Sequence, residues 1–257
     1  FTRLDSVAIV SEGPLLVGTL GGVWGDYDND GDFDLYLGFM YGEQDRIYRN
    51  DGGGRFTAVA DAAPAMDGAY SVQPLWADID NDADLDIVVA TWGSPAMVYL
   101  NHGSGRFSRS FAGDLGRTNS FASSIAAADF DEDGDLDLVI GHWPNHPGDV
   151  ELNLLYRNES ATANWLAVDL VGTRSNRSAI GARIEATARI DGRVVRQIRE
   201  IRSQEGWRSQ SAATAHFGLG RGSLVETLVV RWPSGIVQRL ERVDANQRLR
   251  ITESEEH

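Results

Sequence analysis

The sequence predicts an all-β protein: four-stranded blades of β-propeller type over residues 1–160, then a compact β-sandwich-like domain over residues 161–257. Three observations carry this reading. Aspartates recur at every second position in three nine-residue ladders, Asp26–Asp34, Asp78–Asp86 and Asp129–Asp137, set 52 and 51 residues apart. Repetition at such a period marks an array of similar units. Each ladder runs into a short apolar segment that is too short for a helix, and from about Asn164 alternating segments joined by tight-turn signals replace the ladders.

In the first unit, strand candidates at Val17–Trp24, Val72–Trp76 and Ser124–Ala128 precede the ladders. The runs Leu35–Gly38, Ile87–Ala90 and Leu138–Gly141 follow them as second strands. Third strands are expected at Asp45–Asn50, Ala96–Asn101 and Asn153–Asn158, and fourth strands at Arg55–Ala58 and Arg106–Arg109. Phe1–Leu4 repeats the pattern of a fourth strand, so the sequence opens on the end of a blade. Three ladders are fewer than the roughly four to eight blades of a closed propeller. The expectation is a partial propeller, either cut from a longer protein or completed by a neighbouring copy through its open edges.

In the second unit, Trp165–Val171 alternates as a strand should. Ile180–Ile190 and Val194–Ile201 flank Asp191-Gly192, a strong hairpin signal. Val225–Trp232 and Ile236–Leu240 flank Pro233-Ser234-Gly235, and Arg248–Thr252 gives a last strand.

The ladders also carry the chemistry. Five carboxylates in nine residues are tolerable only beside a strong positive charge, and hard oxygen ligands on a tight loop suit Ca²⁺. Side chains at positions 1, 3, 5 and 9 can converge on one ion, with Gly at position 6 permitting the turn. The side-chain ligands expected are Asp26, Asp28, Asp30 and Asp34; Asp78, Asp80, Asp82 and Asp86; Asp129, Asp131, Asp133 and Asp137. Asp32, Asp84 and Asp135 at position 7 would offer backbone carbonyls while their carboxylates face solvent. Ala83 replaces the glycine in the second loop, so strain is expected there. No helical flank or twelfth-position Glu supports an EF-hand, and about three structural Ca²⁺ ions are implied.

Residues 1–160 hold 27 Asp/Glu against eight Arg, an imbalance that would oppose encounter with nucleic acid. Cysteine is absent, which excludes disulfides and thiolate sites. No apolar stretch is long enough to span a bilayer as a helix. His142 and His146 are four apart, but Pro144 between them spoils the helical zinc geometry. Arg189, Arg193, Arg196, Arg199 and Arg202 could line one face for an anionic ligand or form local ion pairs on a solvated face. Asn158-Glu-Ser160 and Asn176-Arg-Ser178 fit the glycosylation sequon. No nucleophile elbow or phosphate loop is present, and no catalytic residues are assigned.

The ladders, with the Tyr-Arg-Asn and Gly-x-Gly-Arg-Phe segments around them, resemble FG-GAP/VCBS repeats, the calcium-bearing blades also found in integrin α-subunits. Ser175–Ala182, Ser209-Gln210-Ser211, His216–Gly220, Trp232–Gly235 and Ala245-Asn246-Gln247 look like the ASPIC/UnbV domain that follows such repeats in cartilage-acidic-protein-like sequences. The resemblance implies a secreted or cell-surface protein (a periplasmic one in a bacterium) of structural or adhesion type. It brings no catalytic residues; a protein or glycan partner at the surface and no enzymatic activity are expected. Open blade edges allow a homo-oligomer or polymer. The alternative is a carbohydrate-active enzyme or carbohydrate-binding module with a pocket on the propeller face.

Overall fold

The computed structural model describes Ile9 and residues 18–60, 68–111, 113–144, 152–160, 163–206 and 208–255. Phe1–Leu4, and with it the expected blade-end strand, lies outside the described residues, as does His146. Every described strand is β, in four sheets.

The first blade is the antiparallel sheet β1 (Thr19–Gly25), β2 (Asp34–Phe39), β3 (Arg46–Asn50) and β4 (Phe56–Ala58), paired in chain order. The second is β5 (Ser71–Ala77), β6 (Asp86–Pro95), β7 (Met97–Asn101) and β8 (Phe107–Ser110), and the third is β9 (Asn119–Ala128), β10 (Asp137–His142) and β11 (Leu154–Tyr156). In each blade the acidic ladder forms the loop between the first two strands. One feature departs from separate blades: β6 runs on to Pro95, and Trp92–Pro95 pairs with Asn119–Phe121 of β9. The second and third blades therefore share a seven-stranded sheet. A bulge between Trp92 and Ser94 bends β6 toward its neighbour.

Blades pack through apolar residues on alternate strand positions. Val23, Tyr36 and Ile47 of the first meet Ile87, Val89 and Tyr99 of the second, and Trp76 stacks on Tyr27 at 5.7 Å between centroids. Val88 and Val98 of the second meet Ile125, Leu138 and Ile140 of the third. Each side chain so buried contributes about 1.5–3 kcal/mol of transfer free energy.

The second unit contains β12 (Asn164–Val171), β13 (Arg183–Ile190), β14 (Arg193–Glu200), β15 (Ala215–Gly220), β16 (Leu224–Arg231), β17 (Val237–Asp244) and β18 (Gln247–Thr252). Sheet β15-β12-β18 faces sheet β14-β13-β16-β17 across a core that includes Leu166, Phe217, Ile184, Leu228 and Trp232. Asp191 and Gly192 both take positive φ and close the β13–β14 hairpin expected from sequence. Two expectations shift. Ile180 is not in a strand, because the Asn176 side chain brackets its N–H and C=O in a turn. β15 appeared in the sequence only as a motif, since His216–Gly220 lacks period-2 alternation and is buried along most of its length.

The sandwich docks on the acidic loops themselves. Arg183 donates to the Gly31 carbonyl at 2.7 Å, Gly220 N–H to Asn81 O at 2.7 Å, and His216 Nε2 to Gly134 O at 3.0 Å. Each loop tip thus touches the same domain. Ala83 sits at φ 84°, and its methyl is buried in the sandwich core, so packing offsets part of the left-handed strain. At Gly134 an added Cβ would lie 1.8 Å from the Trp165 indole nitrogen.

Glu253 ties the end of the chain to this domain. Burial alone would raise its pKa, but the Ser234 hydroxyl, the Ser175 and Thr173 amides and the Ser175 hydroxyl outweigh that and bring it down to about 2. A depressed carboxyl stabilises the fold above its ordinary value of 4.5, and that contribution is lost as pH falls through about 2.

Two predictions follow from this packing. Gly134→Ala should lower the melting temperature by several degrees more than Gly54→Ala. Both positions have positive φ, but only the first has a neighbour to strike, and overpacking costs about 1–3 kcal/mol. Equal melts would refute the loop–sandwich contact. Glu253→Gln should reduce stability at neutral pH and flatten the acid limb of a stability–pH curve below about pH 4.5; an acid limb as steep as that of the parent would remove Glu253 as the anchor.

Candidate metal centres

The three loops fold alike because the same two positions turn left-handed. Asn29, Asn81 and Glu132 at position 4 have φ near 60°, and Gly31, Ala83 and Gly134 at position 6 lie at 103°, 84° and 97°. These turns bring the carboxylates of positions 1, 3 and 9 together: Asp26, Asp28 and Asp34; Asp78, Asp80 and Asp86; Asp129, Asp131 and Asp137. In each trio one oxygen per residue lies within 4.8 Å of the others. Oxygens about 2.4 Å from a shared cation can be no further apart than about that.

Backbone amides fix the carboxylates and leave one oxygen over. The first aspartate accepts the position-6 N–H through Oδ2, at 3.1, 3.0 and 3.2 Å in the three loops. Its Oδ1 is buried in every loop, at Asp26, Asp78 and Asp129, with no hydrogen-bond partner in the protein. The ninth aspartate accepts the position-2 N–H through Oδ2 and the N–H of Asn50, Asn101 or Asn158 through Oδ1, the latter at 2.8 Å each time. Asp80 Oδ1 is likewise buried without a partner. A buried ionised carboxylate left unpaired is costly, and the same orphan in three loops gives each trio an oxygen that a cation could take up. The donor set, all hard oxygen, fits a divalent cation of the alkaline-earth class.

The remaining aspartates also make hydrogen bonds within and between the loops. Asp30, Asp82 and Asp133 at position 5 are outside the gathered trios, and their Oδ1 atoms accept the position-7 N–H at 2.9, 2.9 and 3.0 Å. Asp32 is exposed, as expected. Asp84 and Asp135 do not face solvent: Asn29 of the preceding loop donates to Asp84 at 2.9 Å, and Asn81 donates to Asp135 at 2.8 Å. The same asparagines reach the Ala83 and Gly134 carbonyls. Each loop therefore clamps the next, an arrangement that required knowing which blades are neighbours. Asn101 and Asn158 add a second tie, from the end of a third strand to the carbonyl of Tyr27 or Ile79 in the preceding loop, both at 2.8 Å. Their equal placement after Tyr in each repeat was the available sequence signal.

The C-terminal domain reaches the centres too. Gly218 N–H donates to Asp78 Oδ2 at 3.1 Å, and Arg199 stands near Asp26 and Asp78 while its guanidinium is held by His216 O, Ile198 O and Gln197. Three arginines of the cluster form local ion pairs, the second of the two readings of the sequence. Arg189 pairs with Glu226, Arg196 with Glu185 and Arg202 with Glu200, and Arg202 also donates to Trp24 O. His142 is hydrogen-bonded through Nδ1 to Leu152 O. Asn158 and Asn176 spend their side-chain amides on internal bonds, which argues against either sequon.

Residues 26–89 and 78–140 match the FG-GAP-like repeat, and residues 172–257 match the family described as ASPIC and UnbV. The chain carries FG-GAP-like repeats followed by an ASPIC and UnbV domain. Cartilage acidic protein 1 of Homo sapiens is 28% identical over 221 residues, covering 82% of this chain and 32% of that protein. The Mus musculus and Xenopus tropicalis proteins of the same name are 26% and 27% identical. The chain spans about a third of the length of these relatives. Among the described residues no helix is long and apolar enough to cross a membrane.

In the FG-GAP-like repeats, burial first and neighbouring carboxylates second push Asp26 up to about 7 and Asp78, where burial dominates, to about 8. Burial likewise raises Asp82 to about 7 and Asp34 to about 8. Without a cation the folded state then binds more protons than the unfolded chain, whose aspartates titrate near 3.8. Metal-free stability should consequently fall as pH rises from about 4 to about 8, and a saturating divalent ion should abolish the fall. Melts in chelator and in Ca²⁺ across that range check this; metal-free stability that rises with pH there would count against buried, unpaired ladders.

Proposed function

We propose that the chain is an extracellular, Ca²⁺-stabilised structural module of adhesion or matrix type, with about three ions held in the loops of its FG-GAP-like repeats. The observation that carries this reading is the identical orphaned oxygen on Asp26, Asp78 and Asp129 inside identical carboxylate trios. The kinship with proteins named for cartilage supports an extracellular setting. Asp26, Asp28 and Asp34 and their counterparts would hold the ion, which supplies the positive charge that lets the loops stay buried and ionised. The partner is a protein or a glycan, and the net charge of −15 disfavours polyanionic glycans. Exposed blade surfaces would engage it.

The module is read as non-enzymatic. A carbohydrate-active alternative would use the cavity of about 220 Å³ between the blades and the sandwich, lined by Trp76, Arg199, Glu205 and His216 among others. There burial lowers the His216 pKa to about 4, so the ring is neutral and donates through Nε2 to Gly134. Glu200 is paired with Arg202. Glu205 keeps a buried Oε2 without a hydrogen-bond partner in that cavity and is the carboxylate such an enzyme would use.

Calorimetric titration with Ca²⁺ tests the proposal. Asp26→Asn, Asp78→Asn or Asp129→Asn should each weaken one site at least tenfold, whereas Asp32→Asn should change affinity by less than about threefold. Chelation should lower the melting temperature by many degrees, reversibly. Equal losses in all four variants, or a melt indifferent to Ca²⁺, would defeat the assignment. Turnover of any oligosaccharide that Glu205→Gln abolishes would favour the enzyme instead.

A further inference from the structure

The cavity of about 220 Å³ between the blades and the sandwich has a wall on which the strong donors are spent and several acceptors are not. On one side it is lined by the first strand of each blade, β1, β5 and β9, and on the other by the segment that joins β14 to β15. That segment is fastened to all three blades. Arg202 donates to Trp24 O at 2.6 Å, Gln73 to Glu205 O at 3.1 Å, and Ala212 N–H to Ala127 O at 3.1 Å. With its own carbonyl pinned, Glu205 keeps a fixed place on the wall. Gln204, Gln210, Ala212 and Ala213 on this side are exposed, which gives a small molecule a way in.

Every arginine of the wall is engaged. Arg199 donates to His216 O, Ile198 O and Gln197, Arg202 to Glu200 and Trp24 O, and Arg248 to Asp169 and Thr214. By contrast, Oδ1 of Asp78 and of Asp129, Glu205 Oε2 and His216 Nδ1 are buried with no hydrogen-bond partner. No buried side-chain donor of the wall is spare among the described residues. His216 is 7% exposed, and its Nε2–H donates to Gly134 O, which leaves Nδ1 as an acceptor. The two aspartates belong to the carboxylate trios, whereas Glu205 and His216 lie outside them. Spare acceptors select a ligand that brings donors, and an unpaired carboxylate selects one that brings positive charge. Val23, Leu75, Trp76, Leu136 and Ile201 add apolar surface for a short carbon skeleton.

We propose that this cavity binds a small primary ammonium compound that also carries a hydroxyl group. The ammonium pairs with Glu205, and the hydroxyl donates to His216 Nδ1. The site does not use the trios, so it stands apart from the Ca²⁺ reading, and it calls for no turnover.

Titration calorimetry on the 257-residue chain, in excess Ca²⁺ and again in chelator, tests this. The probes are ethanolamine and glucosamine, each against its uncharged counterpart, ethylene glycol or glucose. At least one amine should bind tenfold or more tightly than its counterpart in both conditions. Glu205→Gln keeps the shape and removes the charge, and it should weaken that amine at least tenfold. Because the charge it removes is unpaired, the substitution should leave the melting temperature without probe unchanged or higher. A lower melt would give Glu205 a structural partner and overturn the site. Amines and counterparts bound alike, or no binding of either amine, would overturn it as well. So would amine binding that appears only in chelator and survives Glu205→Gln, since the trios would then be what holds the amine.

Discussion

A carboxylate can be buried if every lone pair that matters is met, and at the first and ninth aspartates of these loops backbone amides meet all but one oxygen. Position-6 and position-2 amides and the amide of the third-strand asparagine saturate most of the oxygens of the first and ninth aspartates, leaving Oδ1 of the first with nothing. When ionised, the three carboxylates of a trio face one another within 4.8 Å. Repulsion at that range in a partly buried site is several kcal/mol per pair at an effective dielectric near 20. The rest of the molecule is arranged around the loops where this repulsion arises. The first two strands of every blade leave from the two ends of such a loop, and the sandwich packs on the loop tips.

That placement makes the loops joints and not appendages. Gly218 N–H lands on Asp78 Oδ2, the same oxygen that holds the Ala83 amide, so one carboxylate positions both its own loop and the neighbouring domain. Ala83 shows the same economy from the apolar side: its methyl completes a core whose other members all come from residues beyond 160. A loop that swelled from charge repulsion would therefore strain the blade and the sandwich contact together. Interdomain rigidity and the charge state of the loops are coupled by geometry, with no moving part required.

Much of this was written in local spacing. Alternating aspartates fixed the loop positions, the apolar runs after them fixed the second strands, and Asp191-Gly192 fixed a hairpin, because each depends on residues within ten positions of one another. What escaped depends on separations of 50 to 150 residues. The Asn29–Asp84 clamp spans 55 residues, the Gly218–Asp78 bond 140 and the Arg183–Gly31 bond 152. Position 7 was read as solvent-facing because a lone loop offers it nothing else; the next blade supplies an asparagine. At position 5 alternation alone does not show that one oxygen of each carboxylate accepts the amide of its own turn.

The clamps give the array a direction. Asn29 of the first loop reaches forward to the second, Asn81 of the second to the third, and at the third the residue in that place is Glu132, beside Arg248 of the sandwich. Asn101 and Asn158 run the opposite way, each from a later blade to the loop before it. Neighbouring loops are thus tied twice, by donors that originate on opposite sides of the interface, and the series ends on the C-terminal domain. An asparagine at position 4 can serve a following blade because its short amide tolerates the left-handed turn and still donates across the interface. A glutamate offers only acceptors, and the exchange converts the last loop from a donor toward another loop into an acceptor for an arginine. The change of one residue type in an otherwise repeated ladder marks where the asparagine clamp between loops gives way to an ion pair with the sandwich.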